Sequence, residues 1–103
     1  MNTRELLYAL PAKVSPAAIE GLETVFHFDI EGGGQYTISV DNGKIKVEDG
    51  LVGEPKCVVR ASDANFINLV TGELNPMMAL LTGKVKISNQ SEMIKYAKIF
   101  GLM

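Results

Sequence analysis

A single histidine and a single cysteine carry whatever nucleophilic, acid–base or soft-metal chemistry this chain can offer. His27 stands two residues before Asp29 in Val25-Phe26-His27-Phe28-Asp29-Ile30. In an extended strand these two side chains share a face, so Asp29 could orient His27 as a general base. The same alternation supports a plainer reading, a polar pair on the solvated side of a strand whose other side holds Phe26 and Phe28. Cys57 belongs to the apolar side of its own run, with Val59 and Ala61, so neither a Cys-His nor a Ser-His-Asp constellation assembles. One cysteine excludes an intramolecular disulfide, and one histidine beside it falls short of a Cys/His zinc set. The expectation is a chain with no catalytic residues, no metal and no cofactor.

Gly32-Gly33-Gly34 invites comparison with a phosphate-cradling loop. The residues after it alternate like a strand, however, so no helix N-terminus follows to present aligned N–H donors. A flexible hairpin connection is the better reading. Lys44, Lys46, Lys84 and Lys86 project from the polar sides of strands. Such lysines commonly block edge-to-edge aggregation. They also offer a modest attraction to anionic lipid headgroups or coenzyme A phosphates, helped by Lys95 and Lys98.

The most informative segment is Pro76-Met77-Met78-Ala79-Leu80-Leu81. Around a helix, Met77, Met78, Leu80 and Leu81 leave almost no polar face. Each such side chain contributes about 1.5–3 kcal/mol when buried, so water is a poor neighbour for all four. They call for the sheet on one side and another helix, a partner or a ligand on the other. Met77, Met78, Met93 and Met103 gather in the C-terminal helical part, and flexible thioethers suit irregular surfaces. Two readings stay open: a soft core, or an apolar cavity for a lipid-like guest.

These residues must be positioned by recognisable elements. Thr3 can cap a turn holding Leu6, Leu7 and Leu10, which Pro11 stops; Ser15-Pro16 opens a second short helix that Gly21 ends. From Val25 to Val47 the period is two, with Asn42-Gly43 marking a type I′ hairpin. Three antiparallel strands follow, and Cys57–Ala61 reads as a fourth. Ser62 caps a helix with Phe66, Ile67, Leu69 and Val70 that closes at Gly72, and Asn75-Pro76 opens another that closes at Gly83. Lys84 to Ser88 is a fifth strand. A last helix carries Met93, Ile94, Tyr96, Ala97 and Phe100 on one side, with Glu92, Lys95 and Lys98 opposite. The repeated Thr-Gly after Val70 and after Leu81 is two helix ends rather than an internal repeat.

The length of 103 residues suits one domain, here a helical arm over 1–22 and a sheet with C-terminal helices over 25–103. Ten basic against twelve acidic side chains, net −2, argue against a dedicated nucleic-acid binder. No run approaches the roughly 18 apolar residues of a membrane span. Met1-Asn2-Thr3-Arg4-Glu5 does not open like a signal peptide, and Gly101-Leu102-Met103 is not a peroxisomal address. A cytoplasmic protein is expected.

Val25-Phe26-His27-Phe28-Asp29-Ile30 resembles the opening strand of the sterol carrier protein type 2 domain family. Ser62-Asp63-Ala64-Asn65-Phe66 resembles that family's helix start after the fourth strand. The stretch from Leu69-Val70-Thr71-Gly72 through Asn75-Pro76 and Gly83-Lys84 to Ile87 is similar to its signature of a helix ending in glycine, an x-Pro helix, Gly-Lys and a final strand. The resemblance covers about residues 20–100. Where the family often has Gly-Asp after the last strand, this chain has Ser88-Asn89-Gln90-Ser91, and Asn89 can take the left-handed conformation of a glycine.

The resemblance implies an α+β fold, a five-stranded mostly antiparallel sheet with helices on one face, enclosing an apolar tunnel. It implies non-catalytic binding and intracellular transfer of fatty acid, fatty acyl-CoA or sterol-like lipid. Carried over by position, the lining comprises Phe66, Leu69 and Val70, then Met77, Met78, Leu80 and Leu81, then Ile94, Ala97, Phe100 and Met103, with Ile38 and Val40 as the floor. The last helix, marked off by Gly101, would be a moving lid. Partners would be the lipid ligand, with no nucleic acid, at most transient membrane contact, and a monomer or weak homodimer. Two other readings compete. One is an interaction or dimerisation module whose apolar surface is covered by a partner, with Ile99 as a contact; the other is an enzyme built on His27 and Asp29.

Overall fold

A computed structural model describes residues 2–97 of the chain. The alternating segments form a five-stranded sheet in the order β3-β2-β1-β4-β5. Its strands are β1 Thr24–Glu31, β2 Gly34–Asp41, β3 Lys44–Asp49, β4 Cys57–Ser62 and β5 Val85–Ile87. β1–β2, β2–β3 and β4–β5 pair antiparallel, whereas β4 lies parallel to β1. Cross-strand registers put most of the large apolar side chains on one face, with Phe26 opposite Ile38 and Cys57, Phe28 opposite Tyr36 and Val59, Val40 opposite Ile45, and Ala61 opposite Val85, while Val25 and Val58 share the other face with His27. Asn42, with φ of 52°, and Gly43, at 71°, form the tight β2–β3 turn.

Helices cover that face. α1 is Thr3–Tyr8, α2 Leu10–Lys13, α3 Asp63–Val70, α4 Pro76–Leu81 and α5 Gln90–Tyr96; Pro16–Ile19 is a 3₁₀ turn capped by Ser15. Phe66 of α3 meets Phe28 edge-on at 5.7 Å between centroids, and Tyr96 of α5 meets Phe26 in the same way at 5.5 Å. Leu7 and Ile19 from the N-terminal segment complete the core. α1 is tied down at its outer end by Tyr8, whose hydroxyl donates to Asp49 at 2.7 Å, and by the Arg4–Asp49 ion pair.

Four expectations need correction. Asn2, not Thr3, caps α1, accepting from the Glu5 N–H at 2.9 Å; Thr3 is fully buried and its hydroxyl donates to Asp63 of α3. Pro11 does not stop the helical arm but sits in the first turn of α2, where a missing N–H costs nothing. The glycine run is not a loose connection. A Cβ on Gly33 would lie 2.6 Å from an Asp63 carboxylate oxygen and 2.9 Å from the Thr3 hydroxyl, so the hairpin is pressed against the α1–α3 contact. Asn89 is extended, with φ of −140°, because its side chain caps α5 by accepting from the Glu92 N–H at 3.1 Å.

Candidate functional site

The opposite face of the sheet is where His27 and Asp29 project, and it is not uniformly wet. The segment between β3 and β4 folds back over it. The Gly50 carbonyl accepts from the Thr37 hydroxyl at 2.7 Å, and the Val52 N–H donates to that hydroxyl at 2.8 Å. The Val52 carbonyl lies 2.8 Å from His27 Nε2. His27 and Thr37 are consequently buried, against the expectation of a solvated side. Asp29 turns instead to Arg60, at 3.8 Å, and Gln35. The only histidine is thus engaged by a backbone carbonyl, and its expected acid partner is engaged elsewhere.

Cys57 is fully buried at the start of β4, and burial pushes its thiol pKa up, away from the reactive thiolate. Among the described residues no three of His, Cys, Asp and Glu come together as a metal site.

The helical face holds a hollow of different character. Leu69 of α3, Pro76, Met77 and Leu80 of α4, Val85 and Ile87 of β5, and Gln90, Met93, Ile94 and Ala97 along α5 surround a groove of about 300 Å³. Nine of these ten side chains are apolar, and Gln90 supplies the single amide. Two larger hollows elsewhere carry several charged side chains in their walls: Asp29, Glu31, Arg60, Lys84 and Lys86 line part of one of about 580 Å³, and Glu20, Glu23, Asp41 and Lys44 line part of one of about 710 Å³. Of these three hollows among the described residues, the smaller groove is the one that offers an apolar guest a matching wall.

Local sequence explains how the groove is walled. Asn75 caps α4, accepting from the N–H groups of Met77 and Met78 at 2.9 and 3.3 Å, with Pro76 at the first helical position. Ala79 is fully buried beneath α4, so this short helix presses its small side to the core and turns its long side chains outward. α5 is set by a buried contact that periodicity does not reveal. Asn89 and Glu92 have the spacing of a capping box, yet Glu92 reaches to β1, where the Thr24 hydroxyl donates to it at 2.6 Å. With Tyr96 on Phe26, this rotates α5 so that Glu92 is buried and Ile94 is 69% exposed, the reverse of the expected assignment.

The expected lining residues divide accordingly. Leu69, Met77, Leu80, Ile94 and Ala97 converge on the groove. Ile38 and Val40 lie beneath other side chains, within the closed core. Phe66 and Val70 border a separate crevice of about 20 Å³ beneath α1. Met78 and Leu81 are exposed on α4 and outside the groove lining. Phe100 and Met103, like Ile99 and the rest of the expected lid after Ala97, lie outside the described residues. Pro76, Val85, Ile87, Gln90 and Met93 were absent from the expected lining. Val85 and Ile87 carried a signal in their alternation on β5, and Met93 in the methionine cluster; Gln90 carried none.

Comparison with known proteins decides what kind of fold bears this groove. The SCP-2 sterol transfer family matches residues 4–98. The chain belongs to that family. Lipid binding and transfer is the family's general activity. Among curated relatives, the hydroxysteroid dehydrogenase-like protein 2 of Xenopus tropicalis is 30% identical over 104 residues, covering 97% of this chain and 25% of that protein. Sterol carrier protein 2 of Homo sapiens is 30% identical over 69 residues, covering 62% of this chain and 13% of that one. The chain thus spans a quarter or less of the length of these curated relatives. Among solved structures, palmitated SCP2L2 of Aedes aegypti superposes with a TM-score of 0.73 at 22% identity, over 97% of this chain and 95% of the other. The α+β fold of the SCP-2 family, with its five-stranded mixed sheet and helices, is therefore the fold of this chain.

Proposed function

We propose that this SCP-2 chain binds a single hydrocarbon chain, that of a fatty acid or fatty acyl thioester, in the groove between α3, α4, β5 and α5. It releases the guest unchanged. The observation that carries the reading is a concave wall of nine apolar side chains and one amide, where the two larger hollows described above include several charged side chains. Its volume of about 300 Å³ stands at the lower end of small-molecule sites. That favours a slim, flexible chain over a rigid fused-ring sterol. The Aedes aegypti neighbour of the same fold is described as palmitated, which supports the same ligand class. Affinity would come from apolar burial, about 0.8 kcal/mol for each methylene withdrawn from water, offset by the cost of association. With one amide in the wall, selectivity among chains would rest on length rather than on headgroup.

Native mass spectrometry of freshly purified protein, followed by solvent extraction, tests this directly. The expected result is a mass increment equal to one fatty acid, or saturable uptake of a fluorescent fatty acid by the stripped protein. A protein that carries no lipid and takes up neither fatty acid nor acyl-CoA would overturn it.

A further inference from the structure

The groove is chemically uneven along its length. Gln90, Met93, Ile94 and Ala97 lie at i, i+3, i+4 and i+7, a single stripe that forms the wall contributed by α5. Its one polar member stands at the start. At 1.5 Å per residue, Gln90 and Ala97 are about 10 Å apart along the helix axis, so an amide marks one end of this wall and apolar side chains make up the rest. Gln90 is exposed whereas Met93 and Ala97 are buried, which puts the amide at the mouth. Its backbone is firmly seated. Asn89 beside it accepts from the Glu92 N–H at 3.1 Å and donates to the Lys56 carbonyl at 3.1 Å, while Glu92 is held by the Thr24 hydroxyl at 2.6 Å. The Gln90 amide itself makes no hydrogen bond to any described residue, leaving two N–H donors and one oxygen uncommitted.

Charge does not compete for that role. None of the described residues that line the groove is ionisable. Lys84 and Lys86 line the charged hollow with Asp29, Glu31 and Arg60, and Lys95 pairs with Glu92 at 3.5 Å. An acyl chain carries its polarity at one end, in a carbonyl that acid, ester and thioester share. With its head at the Ala97 end, such a guest would leave that carbonyl against apolar side chains, and a polar group buried without a partner is costly. With its head at Gln90, the carbonyl meets a donor at the mouth and the hydrocarbon meets only apolar wall. A neutral amide treats acid and ester carbonyls alike. What it fixes is the point from which chain length is measured, in keeping with a site selective for length.

We propose that the Gln90 side-chain amide donates to the carbonyl oxygen of the acyl guest at the mouth of the groove, so that the chain lies along α5 with its head at Gln90 and its methyl end towards Ala97. The inference rests on the function proposed above. NMR of the isotope-labelled full chain provides the test, with stearic acid carrying a nitroxide either near its carboxyl or near its methyl end, and with the methyl esters of both. The head-labelled probe should broaden the Gln90 backbone and side-chain signals more than the Ala97 amide. The tail-labelled probe should do the reverse, and the methyl esters should behave like the acids. Q90M, a replacement of similar length at an exposed site, should weaken stearic-acid binding about threefold to tenfold and abolish the difference between the two ends. Equal broadening at both ends, the reversed order, or Q90M that keeps the wild-type order would overturn the anchor while leaving the groove occupied. So would esters that lose the order shown by the acids, since a cation outside the groove would then be holding the carboxylate. No broadening of groove residues by either probe would fail the groove itself, and the anchor with it.

Discussion

Replacing Ile94 by alanine separates a groove wall from an ordinary surface residue. Ile94 is 69% exposed, so roughly a third of its side chain is already covered by protein and two thirds remains for a guest to cover. Ile→Ala removes three carbons, about 2.4 kcal/mol if all were buried at about 0.8 kcal/mol each. The portion open to the guest is then about 1.6 kcal/mol, equivalent to about fifteenfold in Kd, and half of it if the ligand reaches half of that surface, about fourfold. The portion already covered limits the loss of folding stability to about 0.8 kcal/mol. Leu81→Ala is the matched control, because Leu81 is 75% exposed on the adjacent helix but outside the groove lining. A fluorescent fatty-acid titration kept below the concentration at which the probe self-associates should show a fourfold to fifteenfold weakening, by the same estimate, for I94A. L81A should keep the wild-type Kd. Equal losses in both variants, or none in I94A, would refute the reasoning, since proximity to the groove is what distinguishes them.

Thr24→Val removes the hydroxyl that donates to the buried Glu92 carboxylate, leaving it Lys95 at 3.5 Å, and should lower urea-unfolding stability by about 1–3 kcal/mol; a loss below half a kcal/mol would mean that Lys95 or water replaces the hydroxyl. Ile38→Ala should cost about 2–5 kcal/mol in the same assay, because Ile38 is fully buried, while fatty-acid affinity measured on the folded protein stays unchanged. A lowered affinity would put Ile38 in the binding site after all. Burial raises the pKa of both Cys57 and Tyr96, so the folded state holds these protons more tightly than the unfolded chain. Stability should therefore fall as pH rises past the ordinary thiol and phenol values, and be unaffected by these two groups at neutral pH. Thiol titration at neutral pH should find Cys57 unreactive until denaturant is added; prompt labelling of the native protein would show that β4 opens at its start.

The strands were legible because their information is local. Alternation over Thr24–Asp49 and over Cys57–Ser62, with Asn42-Gly43 between β2 and β3, dictates which side chains share a face whatever else the chain does. Asn75-Pro76 and Ser62 likewise announce α4 and α3, since capping is settled within one turn. The resemblance to the SCP-2 domain rested on these same local signals. What only the tertiary structure decided is which way the helices turn. Glu92 looked like a solvent-facing charge, yet one hydroxyl from Thr24, distant in sequence, buries it and swings Ile94 outward. His27 looked solvated until the segment after β3 folded across its face. Ile38 and Val40 share their strand pattern with a cavity floor, but whether a guest or another side chain covers them depends on how closely the helices approach. Periodicity assigns a residue to a face; only packing determines whether that face meets core, groove or water.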